Sequence, residues 1–594
     1  MKIIKIYGII VLCNSSEGST NIIIFIEVIP QKGGFFMYKI MARSGFLIAT
    51  IGIGGLISYF ALPALNLRSS ELWWVLFFVS LIGAGFQLLI DYVGAKDKNR
   101  VTAKDYKTSI ICGSVAAILL VGLIVGGLTS SQTCNAKKYQ KMVEIVESDF
   151  EKDINRIENT SNISIVDMQT ARSVGDRTVG SIKNATWYEV NDEYNLIKYQ
   201  GKQYRISPLE YGNLFKFNKA RYDGIPGYVL VNTSTQEAKF VELEEGIKYS
   251  PSAFWSFDLE RHLRRQYSSY IFGTSFFEVD EAGNPYWITS VKTPTIGLFG
   301  GKKEESFIIT HAITGESDEY KTENLPEWVD HAFDLDYLMT VASYNLKYKN
   351  GFWNAQFSQT GVEKTSYSYQ SGRDTDGDGD IDVRFEGYNT TITSNGDIVF
   401  YTGITSASKA ESNAGFILAN PRTGVITRYT CPGAEESSAV VSAESLVQDL
   451  KYVATFPTIM NVDGEETYFM LLKDKAGLVQ RFALGNVEHY TKVVQADTLD
   501  EALRLYRVKL GITAEETEKP EELLKKKGNI HNLYQAQLDG CTYYYFTLEG
   551  STDLYMSSIK NSNKQVMLTV GTKVSIEYSK TSEEDVYKVQ KIQF

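Results

Sequence analysis

A chain of 594 residues is too long for one hydrophobic core and has to divide into several folded units. Its 71 acidic residues against 60 Lys and Arg leave a formal charge of -11, which repels a phosphate backbone and excludes non-specific nucleic-acid binding. Tyr (37) and Phe (30) far outnumber Pro (12), which suits aromatic-rich antiparallel strands and excludes a disordered low-complexity chain.

Residues 1–40 hold two apolar runs, 3–13 and 22–29, both too short to span a bilayer. Leu12 before Cys13 is larger than a lipoprotein or secretory cleavage site accepts. The stretch therefore reads as an over-extended or disordered N-terminus, with Met37 or Met41 as the start. Residues 46–65, 72–90 and 110–128 are each about 20 residues of uncharged apolar sequence, enough to cross ~30 Å of hydrocarbon as a helix. With Trp73 and Trp74 where an interfacial belt sits, they predict a three-helix membrane anchor over 41–130.

Basic residues orient the anchor. Lys96, Lys98, Arg100, Lys104 and Lys107 follow the second span, and Lys32, Lys39 and Arg43 precede the first; Arg68, Lys137, Lys138 and Lys141 stand on the other side. The majority puts the N-terminus in the cytoplasm and the large domain from about residue 130 outside it, after a helical connector over 131–180.

From there a pattern recurs four times: a strand, a Gly turn, an aromatic strand, then a further strand and a second turn. The copies are YNLIKYQGKQYRI (194–206) with GYVLVNTSTQEAKFV (227–241); FFEVDEAGNPYWITS (276–290) with SFIITHAITGESDEY (306–320); TTITSNGDIVFYTG (390–403) with GFILANPRTGVITRY (415–429); and TIMNVDGEETYFMLL (458–472) running into GLVQRFALGNVEHYTKV. Gly201, Gly283, Gly396 and Gly464 would supply the positive φ of a tight hairpin, and flanking alternation would put one face on a core. Helix-compatible stretches at 252–267 and 442–452 precede the second and fourth copies, the latter with Ser442 placed to cap. Gln236 stands where the first copy's second turn would take Gly, and the third copy lacks an evident preceding helix.

The order of helix, strand, VDxxGxPYW turn, strand, and a third strand ending in a TG turn, as in AITGE (312–316) and PRTGV (421–425), resembles the PepSY domain. The resemblance implies small extracytoplasmic modules of the bacterial envelope that bind or inhibit and have no catalytic residues. Copies one and two would fill 181–330, and copies three and four 331–510. Within the last, 497–510 (DTLDEALRLYRVKL) has the spacing of an amphipathic helix. A charged linker over 511–528 leads to several short strands in 529–594, a small β-barrel of OB-like or SH3-like type or an extension of the preceding sheet. The expected fold class is α+β: three transmembrane helices, tandem helix-plus-antiparallel-sheet units and a C-terminal barrel.

The sharpest ligand signal is RDTDGDGDIDVRF, where Asp374, Asp376, Asp378 and Asp382 occupy positions 1, 3, 5 and 9 of a DxDxDGxxD loop. Gly379 suits the sharp turn, and Asp380 would contribute its backbone carbonyl. Carboxylates crowded so closely repel unless a hard cation sits among them, and a ring of oxygens at ~2.4 Å is what Ca²⁺ takes. Phe385 stands where an EF-hand has its bidentate Glu, so the loop resembles the calcium loops between strands of extracellular proteins. A structural Ca²⁺ is the expected cofactor; a solvated hairpin tip is the alternative.

Catalytic patterns are missing. His262, His311, His331, His489 and His531 are scattered, none in HExxH or beside a nucleophile motif, and a structural role is expected for each. The five Cys form no CxxC or disulfide framework, and a Cys431 to Cys541 bridge stays open. The expectation is a multi-pass membrane protein that contacts the bilayer and binds a protein or cell-wall partner without catalysis. A membrane-bound enzyme acting on envelope polymers and a transport or secretion component are the alternatives, the latter disfavoured by spans free of charge.

Overall fold

The computed structural model describes residues 2–6, 9–16, 19–25, 34–93, 106–157, 160, 163–180, 182, 184–368, 371–373, 383–385, 387–407, 412–511, 524–538, 541–558, 563–580 and 586–593. They form two compact units, Met1–Leu503 and Arg504–Phe594.

The first unit opens with strands β1 (Lys2–Ile6), β2 (Ile9–Ser16) and β3 (Ser19–Phe25), antiparallel in chain order. Helices α1 (Gly34–Ala61), α2 (Ser70–Val93) and α3 (Lys107–Ser130) follow, and their segments Met41–Ala61, Ser70–Tyr92 and Lys107–Ser130 are long and apolar enough to cross a membrane. Helix α1 stops short of the expected residue 65 because Leu62 takes φ +43° and Pro63 offers no N–H to continue the ladder. The expectation of charge-free spans needs a correction, since the helices run past the uncharged stretches. Arg43 Nη2 lies 2.9 Å from Asp91 Oδ1, and Asp91 Oδ2 accepts from Ser109 Oγ (2.6 Å) and Ser109 N (3.2 Å), tying all three helices together.

The end of α1 and its connection to α2 dock on the domain that follows α3. Leu65 N donates to Ser268 O (2.8 Å), Arg68 Nη1 to Pro294 O (2.9 Å) and Arg261 Nη1 to Tyr59 O (2.5 Å). That domain begins with α4 (Gln132–Gln140), β4 (Ile145–Glu147), α5 (Phe150–Asp153) and α6 (Met168–Val179).

Four sheets come next, antiparallel except where β4 joins the third. The first holds β5 (Tyr188–Val190), β6 (Asn195–Tyr199), β7 (Lys202–Tyr211), β8 (Ile225–Asn232) and β9 (Ala238–Ile247), with α7 (Leu214–Ala220) between β7 and β8. The second follows α8 (Leu259–Gln266) and comprises β10 (Phe272–Val279), β11 (Pro285–Ile296), β12 (Gly300–His311) and β13 (Ser317–Lys321). The third follows α9 (Leu335–Lys347), α10 (Gly351–Trp353), β14 (Glu363–Thr365) and the separate hairpin β15 (Ser371–Arg373) and β16 (Val383–Phe385). Its strands are β17 (Asn389–Ile392), β18 (Ile398–Ser406), β19 (Ser412–Ala419), β20 (Ile426–Tyr429) and β21 (Gly433–Ala434), with β14 on β18 and β4 running parallel to β20. The fourth follows α11 (Glu436–Ser445) and comprises β22 (Val453–Ala454), β23 (Thr458–Val462), β24 (Glu465–Lys473), β25 (Val479–Asn486) and β26 (Val493–Ala496), before α12 (Leu499–Leu510).

In every sheet, then, strands adjacent in the chain pair as a meander: β6 to β9, β10 to β13, β17 to β20 and β23 to β26. The turns have local causes. Tyr199 pairs with Lys202 and Val462 with Glu465, so Gln200-Gly201 and Asp463-Gly464 are two-residue turns, with φ of +50° and +73°, and +57° and +99°, as type I′ geometry requires. Gln236 adopts φ +61°, where Gly315 and Gly424 take +81° and +72°. A side chain in that region costs about 1 kcal/mol, so the turn shape prevails over the residue. Two helix expectations change. Helix α11 starts at Glu436, leaving Ser442 inside the helix rather than at its cap, because Glu436, Ala439 and Ala443 form its buried stripe. The third copy does have a helix, α9, but α10 and β14 to β16 separate it from β17.

Neighbouring sheets share cores. Tyr228, Phe277, Trp287 and Ile308 belong to a core spanning the first two sheets, Ile288, Phe307, Phe400 and Ile417 to one spanning the second and third, and Tyr401, Phe416, Tyr468 and Met470 to one spanning the third and fourth. The fourth sheet in turn meets α6: Lys473 Nζ lies 2.5 Å from Asp167 Oδ2, and Thr170 Oγ1 donates to Gly477 O (3.3 Å).

The second unit contains β27 (Leu524–Leu538), β28 (Cys541–Leu548), β29 (Leu554–Ser558), β30 (Lys573–Lys580) and β31 (Val586–Gln593), closed as a barrel in the order β27-β28-β29-β31-β30. Only β29 and β31 run parallel in this ring of pairings. Closure, around Phe546, Leu548, Tyr555, Val574 and Ile576, replaces the alternative of an extended preceding sheet. Strand β27 already starts within the stretch expected to be linker, where Lys526 Nζ bonds Asp553 Oδ2 (2.9 Å) and Ser551 Oγ (2.9 Å).

Candidate functional site

A cleft of about 510 Å³ lies where α8 crosses the first two sheets. Asp258 starts α8 by accepting Arg261 N at 2.8 Å, and Leu259 and Leu263 anchor the helix in the core. Glu260, between them, lines the cleft with Asp258. The first sheet contributes Asn195 and Pro208, and the connection from β5 to β6 contributes Asn191 and Glu193; the second sheet contributes Thr274, Ser275 and Thr289; and Glu71, in the first turn of α2, joins them. Phe277 and Trp287 supply an aromatic wall, edge to face at 5.2 Å.

Hydrogen bonds hold this lining in place. Asn191 Nδ2 donates to Glu210 Oε1 (2.5 Å), and Asn191 Oδ1 accepts Glu193 N (2.6 Å). The Ser275 and Thr289 hydroxyls are 2.8 Å apart. Glu71, Glu193, Asp258 and Glu260 converge here, and the described lining includes no Lys or Arg. Burial, reinforced by Asp334, Glu210 and Asp192, pushes the Glu193 carboxyl above its ordinary range. Asp258 is raised by burial against the pull of Arg261, and Glu260 by burial against the pull of Arg264, 3.7 Å away. Such a cleft attracts cations, because an ammonium or guanidinium entering it relieves the mutual repulsion and favours the charged form of acids that burial disfavours. The hydroxyls and the aromatic wall add polar and apolar contacts for the rest of a ligand.

A second polar centre is sealed from solvent. Glu278 of β10 accepts Asp330 N (2.9 Å) and His331 N (2.5 Å), and Asp330 Oδ2 accepts Lys198 N (2.5 Å). Glu304 accepts Ser290 Oγ (2.9 Å) and Asp334 N (3.1 Å), with Lys292 Nζ at 3.5 Å. Burial pushes Glu278 up to about 8, and Glu304 and Asp330 up to about 7, while it drives His331 down to about 4. These groups pin the segment leading into α9 and lie outside the cleft lining.

Asp374, Asp376, Asp378, Asp380 and Asp382 lie outside the described residues. The strands on either side of them pair, Ser371 with Phe385 and Arg373 with Val383. Among the described residues no group of His, Cys, Asp and Glu is placed to hold a metal ion. His262 of α8 has its Nε2 2.7 Å from Gly315 O, and His311, at the end of β12, accepts Ile313 N on its Nδ1 at 3.2 Å, so both brace the turn that follows β12. Cys431 is a free thiol in the core, pushed up to about 12 by burial. Sequence reasoning missed the cleft acids because single carboxylates do not stand out in an acidic chain; the only local signal was the DLER helix start at Asp258. Comparison with protein-family models finds no match to this chain, and none is found among curated proteins.

Proposed function

We propose that the chain is a membrane-anchored envelope protein that binds a protein or cell-wall partner without catalysis, through an extracytoplasmic domain of PepSY-like repeats and an OB-like barrel. The acidic cleft carries this reading: it is open, lined by four carboxylates, and suited to a basic segment or amine-bearing polymer. Support for PepSY-like repeats comes from the four meanders and their positive-φ turns. The closed five-stranded order, with β29 parallel to β31, supports the OB-like reading of the barrel, a fold that often presents a binding face. The excess of Lys and Arg before the first span and after the second favours an external domain.

Full-length protein in nanodiscs, titrated with a Lys-rich peptide and its fully acetylated counterpart, tests the cleft. The expected result is binding of the unmodified peptide only, weakened about tenfold or more by Glu193→Gln with Glu260→Gln and by added salt. Equal binding of both peptides, or no effect of the substitutions, refutes it. Orientation is read from alkaline phosphatase fused after Thr129: an inactive fusion with an active cytoplasmic reporter at the same point reverses it.

A second reading, an enzyme acting on envelope polymers, is favoured by the raised carboxyls in the same cleft, since a protonated acid beside an ionised one is the equipment of general acid–base hydrolysis. Release of soluble fragments from envelope polymer by the wild type, abolished by Glu193→Gln, would establish it.

A further inference from the structure

The three lysines that run against the orientation of the anchor, Lys137, Lys138 and Lys141, follow the end of α3 within about three helical turns. With Lys303 of β12 they line a concavity of about 610 Å³, whose walls include Met142 and Thr295. In a chain with more acids than bases, the described lining of this concavity has four lysines and no carboxylate.

Its place in the fold is at the end of the third apolar helix. Ser131 is both the C-cap of α3 and the N-cap of α4, so no spacer separates the span from the lysines. Asn135 Nδ2 donates back to Thr129 O (2.7 Å), holding the first turn of α4 on the end of α3. The tip of the β11–β12 hairpin seats on the same helix end: Leu298 N and Phe299 N donate to Ser130 Oγ (3.0 and 2.9 Å), and the Phe299 ring meets Trp73 edge to face. Across α4 from the lysines, Gln132 bonds the hydroxyls of Tyr344 (3.0 Å) and Tyr348 (2.5 Å). A ladder of rings runs on from Tyr348 through Phe352 to Trp353 and Phe357, which stack at 5.9 Å and remain 65% and 77% exposed. Large aromatic rings left exposed beside the end of a span suit the bilayer interface.

We propose that the concavity binds the phosphate of an anionic phospholipid headgroup, with Trp353 and Phe357 resting in the interface nearby. The phosphodiester is a compact monoanion that ammonium groups from two walls can meet together, and juxtamembrane lysines are attracted to anionic lipid. The site does not depend on which leaflet the domain faces, nor on the partner proposed for the acidic cleft. It also gives the lysines that oppose the orientation a use of their own.

The test is lipid retention by the full chain, purified in non-ionic detergent, offered equal amounts of dioleoyl phosphatidylglycerol and dioleoyl phosphatidylcholine, and weighed by native mass spectrometry. The expected result is a preference of about tenfold for phosphatidylglycerol. Lys137→Gln, Lys138→Gln and Lys141→Gln together should abolish it, Lys303→Gln from the opposite wall should weaken it, and Lys239→Gln on β9 should leave it unchanged. Equal retention of the two lipids, or a preference that survives the triple substitution, overturns the proposal. Complete displacement of the phosphatidylglycerol by inorganic phosphate overturns it in favour of a free-anion site.

Discussion

Removing the Asp167 carboxylate should unlock the junction between the fourth sheet and α6. One carboxylate does two tasks there: it caps α6 by accepting Thr170 N at 3.0 Å, and its Oδ2 holds Lys473 Nζ at 2.5 Å. The Lys473 side chain is 1% exposed, and its other hydrogen-bond partner is Gln169 Oε1 at 3.2 Å. Asp167→Ala therefore loses a cap, about 1 kcal/mol, and strands a buried ammonium, about 3 kcal/mol. Lys473→Met alone should cost about 1 kcal/mol, and the double variant about 2 kcal/mol, leaving a coupling of about 3 kcal/mol. A multidomain chain does not unfold in one step, so the readout is amide exchange of α6 and of the 474–478 turn in nanodiscs. Exchange in both should accelerate by about three orders of magnitude in Asp167→Ala and recover substantially in the double variant. Burial alone would raise the Asp167 carboxyl, but Lys473 and the Thr170 hydrogen bonds outweigh it and hold the group below its ordinary value of 3.8. This stabilisation is therefore present above pH 3.8 and lost as pH falls through the lowered folded value. Additive single effects, or unchanged exchange in the 474–478 turn, would refute the junction.

Two glycines separate steric from conformational need: Gly227→Ala would put Cβ 1.9 Å from Val241 O on the neighbouring strand, whereas Gly201→Ala meets nothing within 4 Å and is opposed only by φ +73°. The first should cost about 3 kcal/mol and the second about 1 kcal/mol, read as melting shifts in detergent, and equal losses would contradict the register. Glu278, Glu304 and Asp330, raised to about 8, 7 and 7 by burial, bind protons more tightly folded than unfolded. Their contribution is full below their ordinary values of 4.5, 4.5 and 3.8 and is lost as pH rises from there through the folded ones, so the melting temperature should fall between about pH 4.5 and about pH 8, and Glu278→Gln should flatten that fall; a profile identical to wild type would exclude Glu278 as a source. For the acidic loop, millimolar Ca²⁺ should raise the melting temperature by a few degrees, consistent with dissociation constants on the order of 10⁻⁴ to 10⁻³ M, and Asp376→Ala with Asp378→Ala should remove the shift. Calorimetry without heat at millimolar Ca²⁺ would reduce that loop to a solvated turn.

Most of the secondary structure that proved legible is local. Three spans announce themselves because length and apolarity can be read in one window, and Pro63 marks the end of the first. The hairpin turns are legible because Gly201, Gly283, Gly396 and Gly464 sit between strands adjacent in the chain, and all four take positive φ. Where neighbours in the fold decide, the reading slips. Helix α11 begins ahead of Ser442 because its buried face, not the nearest capping residue, sets its start, and α9 escapes notice because an insertion parts it from β17.

By itself, then, the sequence determined the three apolar helices, the alternation of the strands and the hairpins that join them, since each depends on residues a few positions apart. Only the tertiary structure decided that Glu71, Glu193, Asp258 and Glu260 share one cleft, that Lys473 neutralises Asp167, and that β29 closes the barrel beside β31. Each of those juxtapositions joins residues distant in the chain whose types are common along it. What brings them together is the path the chain takes as successive sheets bury shared cores, and no local window of sequence contains that path.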